Sequence, residues 1–220
     1  RPKTVVVTSV EFDHADIYAD LDAVKVAFRK LMRIVPADGT VIVRADDPGA
    51  NEIAAEAQCR VWRYGPGQEW DGESVRIDPD TGTLTFMIRR DGTPIGTFRS
   101  CMVGRHNLYN QVAAAAAAIA AGAEPAALGE GFSTFQGIKR RQEVIGEPGG
   151  VTVIDDFAHH PTAVKVTLDA LRERAHPTHL TLSRAVQIAG EVDAGRTYFI
   201  HMAHELPVVR EVYRCGRRVL

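Results

Sequence analysis

TVVVTSVEFDHADIYADLDAVKVAFRKLMRIVPADGTVIVR, residues 4–44, carries the pattern from which the architecture follows. Val5 to Val10 is a run dominated by β-branched residues, the pattern of a strand buried on both faces of a parallel sheet. The polar loop EFDHADIYAD (11–20) follows. From Leu21 to Val35 the apolar residues Val24, Ala27, Phe28, Leu31 and Met32 recur at helical spacing. Gly39 breaks the chain, and Thr40 to Arg44 reads as a second strand. Working outward, the turn ADDPG (45–49) leads to a short helix over 51–58 and a third strand, Arg60 to Tyr64. The order β-α-β-α-β predicts an α/β fold with a parallel sheet and right-handed crossovers.

The rhythm changes after Asp71. SVRID and LTFMIRR alternate apolar and polar residues, with turns at DPDTG and RRDGTP, so 71–99 is expected to form antiparallel hairpins inserted into the parallel sheet. A helix is predicted from Gln111 to Ala121, ended by Gly122 as its C-cap, with a further helical turn over 124–131 and a connection over 132–150. VTVIDD (151–156) reads as another buried strand, with HHPTAV opening a helix over 163–172. From Ala175 the character shifts again, to a helix over 182–192 and a strand RTYFI (196–200).

The net charge of −2 gives no sign of a general nucleic-acid or membrane-surface binder, so any anion must be held by local positive groups. Cys59, Cys101 and Cys215 are widely separated and odd in number, which suits a reducing cytoplasm better than a disulfide framework. The longest apolar run, 112–121, is mostly alanine and shorter than the ~20 residues that span a bilayer.

Four constellations could carry chemistry. In EFDHAD, His14 stands beside carboxylates in the loop after the first strand, where doubly wound sheets bind ligands. It is either a ligand for a divalent ion or the cap of a solvated turn. In GRHNLYN, Asn107 and Asn110 lie three residues apart and share a helical face. Their carboxamides suit a purine edge, while Asn107 also suits a helix N-cap. Arg140 and Arg141 in GIKRRQE are phosphate clamps or solvated charges in a connection. In VIDDFAHHP, Asp155, Asp156, His159 and His160 crowd the end of a strand, which favours a functional site over plain surface.

Taken in order, these motifs resemble the Mur ligase family, ATP-dependent enzymes that add amino acids or peptides to UDP-N-acetylmuramate. PKTVVVTSVEFDHADIYADLDAVKVAF resembles the family's central domain, and GRHNLYNQVAAAAA its adenine-contacting motif. GIKRRQE is similar to the hinge, and VIDDFAHHPTAV to the opening of a Rossmann-like C-terminal domain. The wording EFDHADIY is closest to the branch that joins L-Ala-γ-D-Glu-meso-diaminopimelate to UDP-N-acetylmuramate in cell-wall recycling. The branch that adds L-alanine is the alternative. The resemblance implies ATP and Mg²⁺ as cofactors, and UDP-N-acetylmuramate and a peptide as substrates. It implies that His14 ligates magnesium, that Asn107 and Asn110 bind adenine with His106 packing nearby, and that Arg141 reaches the nucleotide. Asp156 would hold the ribose hydroxyls, and His159 and His160 would face the phosphates. The chemistry implied is phosphorylation of a carboxylate and attack of an amine on the acyl phosphate, carried by positioning and charge neutralisation.

Three segments are expected: a central ATP-binding domain over 1–137, a hinge with the start of the C-terminal domain over 138–174, and a tail over 175–220. The tail resembles the end of a metallo-β-lactamase-fold hydrolase, with His201 as a metal ligand and His204 close by. The HxHxDH motif that would complete such a site does not occur. No GxxxxGK[ST] phosphate loop occurs either, and its amides and lysine are the usual cradle of the β- and γ-phosphates. The chain by itself is therefore expected to behave as a nucleotide-binding remnant without turnover. Phosphate release that requires ATP, UDP-N-acetylmuramate and peptide together would overturn that expectation.

Overall fold

The computed structural model describes residues 1–78, 81–146, 148 and 153–173, and the backbone of three short strands beyond them. The chain forms two compact units. The first comprises 1–77, 84–100 and 105–135, and the second 78–83, 101–104 and 136–220.

The first unit holds a six-stranded sheet in sequence order. Strands β1 (Thr4–Val7), β2 (Thr40–Arg44) and β3 (Arg60–Tyr64) run parallel, with Val5, Val41 and Val61 in register. Helices α1 (Leu21–Ile34) and α2 (Pro48–Ala54) cross between them. β2 is buried on both faces, with Val41, Ile42 and Val43 fully enclosed. β1 ends at Val7 and, among the described residues, pairs with β2, with Val6 38% exposed.

Side chains fix the ends of both helices. Asp20 caps α1 by accepting from the Ala23 amide at 2.8 Å. Asp47 caps α2 from Ala50 at 2.6 Å and also accepts from the Val10 amide at 3.3 Å, tying the β1 loop to the β2 turn. With Pro48 in its first turn, α2 starts earlier than the sequence reading placed it. On the outer surface Lys25, Arg29 and Arg33 of α1 pair with Glu52 of α2 and with Glu56 just beyond it.

β4 (Trp70–Ile77) joins the parallel set through the Tyr64–Trp70 pair and then turns the sheet antiparallel with β5 (Leu84–Arg90) and β6 (Thr93–Ser100). Asp91 and Gly92, both at positive φ, make the two-residue turn from β5 to β6. Helix α3 (Arg105–Ala120) lies against β1, β2, β3 and β4. It starts six residues before the predicted position, so GRHNLYN belongs to its first turns. Helix α4 (Pro125–Thr134) extends past the expected turn and carries Phe132 onto Phe86 and Phe98.

In the second unit, β7 (Glu143–Gly146) pairs antiparallel with β8 (Val153–Asp155), and α5 (Pro161–Glu173) follows. The connection predicted over 132–150 thus contains both the end of α4 and a strand. β8 is only partly covered, where a fully buried strand was expected. The helix expected over 182–192, together with His201 and His204, lies outside the described residues. Thr197–Tyr198, within RTYFI, is β9, paired with β10 (Val212–Arg214), which also pairs with β11 (Arg217–Arg218).

The seat of α3 yields a prediction. A Cβ at Gly72 of β4 would fall 2.5 Å from Val112 Cγ2. Gly72→Ala should destabilise the fold by about 1–3 kcal/mol through overpacking, and Val112→Ala in the same chain should recover part of it. Urea unfolding checks this, and a Gly72→Ala variant as stable as the parent would overturn it.

Candidate functional site

The first unit gathers its polar groups at the C-terminal ends of β1, β2 and β3, where the loops can be shaped for a ligand without disturbing the sheet. His14, in the loop after β1, adopts φ 55° and is exposed, with its Nε2 4.0 Å from Asp13 Oδ2. Among the described residues no three His, Cys, Asp or Glu side chains cluster as a metal cage. His14 and Asp13 could supply one edge of a magnesium site, the remaining ligands being phosphate oxygens or water, as that ion commonly takes.

Asn107 and Asn110 occupy the first two turns of α3. Asn107 is buried and Asn110 exposed, and Asn110 Nδ2 lies 3.5 Å from Asn107 Oδ1. Asn107 is the third helical residue, not the cap, and its carbonyl accepts from Gln111 Nε2 at 3.2 Å. The two carboxamides do share a face. His106 beside them is half-buried.

Tyr109, between the asparagines in sequence, joins a cluster that the sequence reading missed. Arg44, at the end of β2, forms a forked pair with Asp46, Nη2 to Oδ2 at 3.0 Å and Nε to Oδ1 closer still. Its guanidinium lies 4.5 Å from the Tyr109 ring of α3 and 5.7 Å from the Tyr64 ring of β3. The Tyr109 hydroxyl reaches Asp71 Oδ1 of β4 at 3.5 Å. The hydrogen bond from Arg44 holds the Asp46 carboxyl below its usual range. Burial pushes the Tyr64 hydroxyl up to about 12. No short motif announces this group, because its members come from three strands and a helix. The only signal available was an arginine ending a buried strand.

In the second unit Asp156 is held at both oxygens, accepting from the Gln142 amide at 2.9 Å and the Ala158 amide at 2.7 Å. A carboxylate keeps further lone pairs beyond these two. Arg140, at φ 60°, stacks 4.7 Å from Phe157 and sits 3.6 Å from Asp155. Arg141 is exposed. It lines a cleft of about 460 Å³ with Cys101, Met102, Ile138, Lys139 and Gln142 among others. That size suits a small molecule, and its two cations suit an anionic one. His159 is exposed, with Nδ1 3.1 Å from the Phe157 carbonyl. His160 precedes the first residue of α5 and accepts from Val164 through its carbonyl at 2.9 Å.

Tyr64 yields a pH prediction. In the fold it keeps its proton to about 12, against 10.0 for an unperturbed tyrosine. The folded state therefore binds more protons than the unfolded chain between those values. The associated stability is complete below about pH 10 and is lost as pH rises toward about 12. Tyr64→Phe should make the alkaline decline of the urea midpoint shallower. An equally steep decline in the variant would overturn the assignment.

No helix among the described residues is long and apolar enough to cross a membrane. Compared with known proteins, the chain is 37% identical to a UDP-N-acetylmuramate–L-alanine ligase of Acidothermus cellulolyticus, over 98% of this chain and 46% of that protein. It is 37% identical to the UDP-N-acetylmuramate–L-alanyl-γ-D-glutamyl-meso-2,6-diaminoheptandioate ligase of Escherichia coli, over 80% of this chain and 38% of that one. Among solved structures, a murein peptide ligase of Psychrobacter arcticus superposes with a TM-score of 0.56 at 30% identity, covering 79% of this chain and 35% of the other. The chain thus spans less than half the length of these relatives. The Mur ligase, glutamate ligase domain model matches residues 140–219. The Mur ligase middle domain model matches residues 1–118, more than half of the 220 residues, and the chain belongs to the Mur ligase family.

Proposed function

We propose that this chain is the nucleotide-binding part of an ATP-dependent amide ligase acting on UDP-N-acetylmuramate, a substrate named in both 37%-identical relatives. The incoming group is L-alanine or the L-Ala-γ-D-Glu-meso-diaminopimelate tripeptide. The near-complete alignment with the Acidothermus enzyme supports the first, and the EFDHADIY wording supports the second. Residues 1–137 are read as the central domain and 138–174 as the hinge and start of the C-terminal domain. The tail is assigned to that same domain, because the glutamate ligase domain model runs through residue 219. That match supports a ligase end over a hydrolase end.

The observation that carries the nucleotide reading is the pair of carboxamides on one face of α3. Each can donate to a ring nitrogen or accept from an exocyclic amine, with His106 flanking them. In the second unit Arg141 is the group for phosphate and Asp156 the group for ribose hydroxyls, with His159 and His160 at the strand end. His14, with Asp13 beside it, would hold magnesium, which when bound would neutralise phosphate charge. The work of these side chains is to bind and orient, so their effect on rate comes from placement.

ATP or ADP should bind in preference to GTP, because a site that pairs with one purine edge leaves its own polar groups unpaired against the other. Affinity should sit near ~1 mM, about −4 kcal/mol, since the chain carries no phosphate loop. Asn110→Ala should abolish the preference. The position is exposed in a helix where alanine is favourable, so the variant should stay folded. Ligand-observed NMR titration decides it: equal binding of ATP and GTP, or unchanged binding by a folded Asn110→Ala chain, would sink the adenine reading.

A further inference from the structure

We propose that Arg44 is a positioning residue for the carboxamides of α3, acting through the ring of Tyr109. The inference rests on the adenine reading above. Tyr109 lies between Asn107 and Asn110 in the sequence of α3 and is 5% exposed. One face of its ring receives the Arg44 guanidinium at 4.5 Å, and its hydroxyl reaches Asp71 of β4 at 3.5 Å. Within the first turns of α3, this one side chain therefore ties the helix to both β2 and β4.

The magnitude of a roll shows why this bears on recognition. A helix with its side chains is about 10–12 Å across, so a roll of about 10° displaces a carboxamide tip by about 1 Å. A displacement of that size in a positioned group costs up to about a hundredfold. A roll permitted at Tyr109 is thus passed undiminished to Asn107 and Asn110.

Arginine suits the task better than lysine. Its planar fork matches the Asp46 carboxylate at two points, and its face lies against an aromatic ring. The Arg44 side chain is only 19% exposed. It is fixed on one side by Asp46 and sandwiched near Tyr64 and Tyr109 on the other. Lysine would keep the charge and lose both the fork and the stack.

The test uses the full 220-residue chain with ATP and GTP as probes. Dissociation constants for both nucleotides are measured for the parent and for Arg44→Ala, Arg44→Lys, Tyr109→Leu and the Arg44→Ala/Tyr109→Leu double variant. Thermal unfolding of each shows whether it is folded. The parent should prefer ATP, and Arg44→Ala and Arg44→Lys should each cut the ATP-over-GTP ratio by roughly tenfold. Arg44→Ala should add nothing once Tyr109 is leucine, since both act along one route. Arg44→Lys retains the charge and the half-buried stem, so it keeps the question open to measurement should the alanine variant fail to fold. The side-chain amide resonances of Asn107 and Asn110 should shift in the folded Arg44→Lys chain. A parent that binds ATP and GTP equally would overturn the adenine reading itself. A parent that discriminates, with the ratio unchanged in Arg44→Lys, would overturn the role of Arg44 alone. Strictly additive losses in the double variant would overturn action through Tyr109.

Discussion

The first unit depends on the close approach of α3 to its sheet. Gly72 leaves no Cβ for Val112 to strike, and Ala113, Ala115 and Ala116 are buried where larger side chains would hold the helix away. A helix seated this near a sheet has little freedom to slide or lift, because packed interiors are dense and resist small displacements, while the roll of its first turns is set at Tyr109. Its first turns, with their two asparagines, inherit that rigidity. The alanine run that looks featureless in sequence is therefore the feature that locates the polar end of the helix.

That polar end is completed by charge rather than by apolar packing. At the C-terminal ends of β2 and β3 the chain places Arg44, Asp46 and Tyr64, and α3 delivers Tyr109 among them. A half-buried guanidinium is costly unless its donors are used, and the Asp46 fork uses them. The rings then cover its faces. The arrangement joins a strand terminus to a helix start through charged and aromatic side chains.

The second unit solves a similar problem with backbone amides. Asp156 accepts from Gln142 and Ala158, so the turn before β7 and the loop after β8 are pinned by one carboxylate. Arg140 and Gln142 both adopt positive φ, a conformation uncommon outside glycine. This strained turn presents Arg141 to the cleft while Arg140 is taken up by Phe157 and Asp155. Neighbouring arginines thus have different employment.

Much of this was legible in the sequence. The β-branched runs at 4–7 and 40–44, the helical spacing of Val24 to Met32, and the Asp-Gly turn at 91–92 each act over a few residues, so local chemistry determined the α/β order and the hairpins. The spacing of Asn107 and Asn110 determined that they share a face. Tertiary structure alone decided that Asn107 is buried while Asn110 is exposed, and that Arg44 meets Tyr109. It also decided that residues 143–146 form a strand, which needs β8 as its partner. The physical reason is the range of the interactions: propensity and periodicity are read along the chain, whereas burial, strand partners and ring stacking arise between segments tens of residues apart.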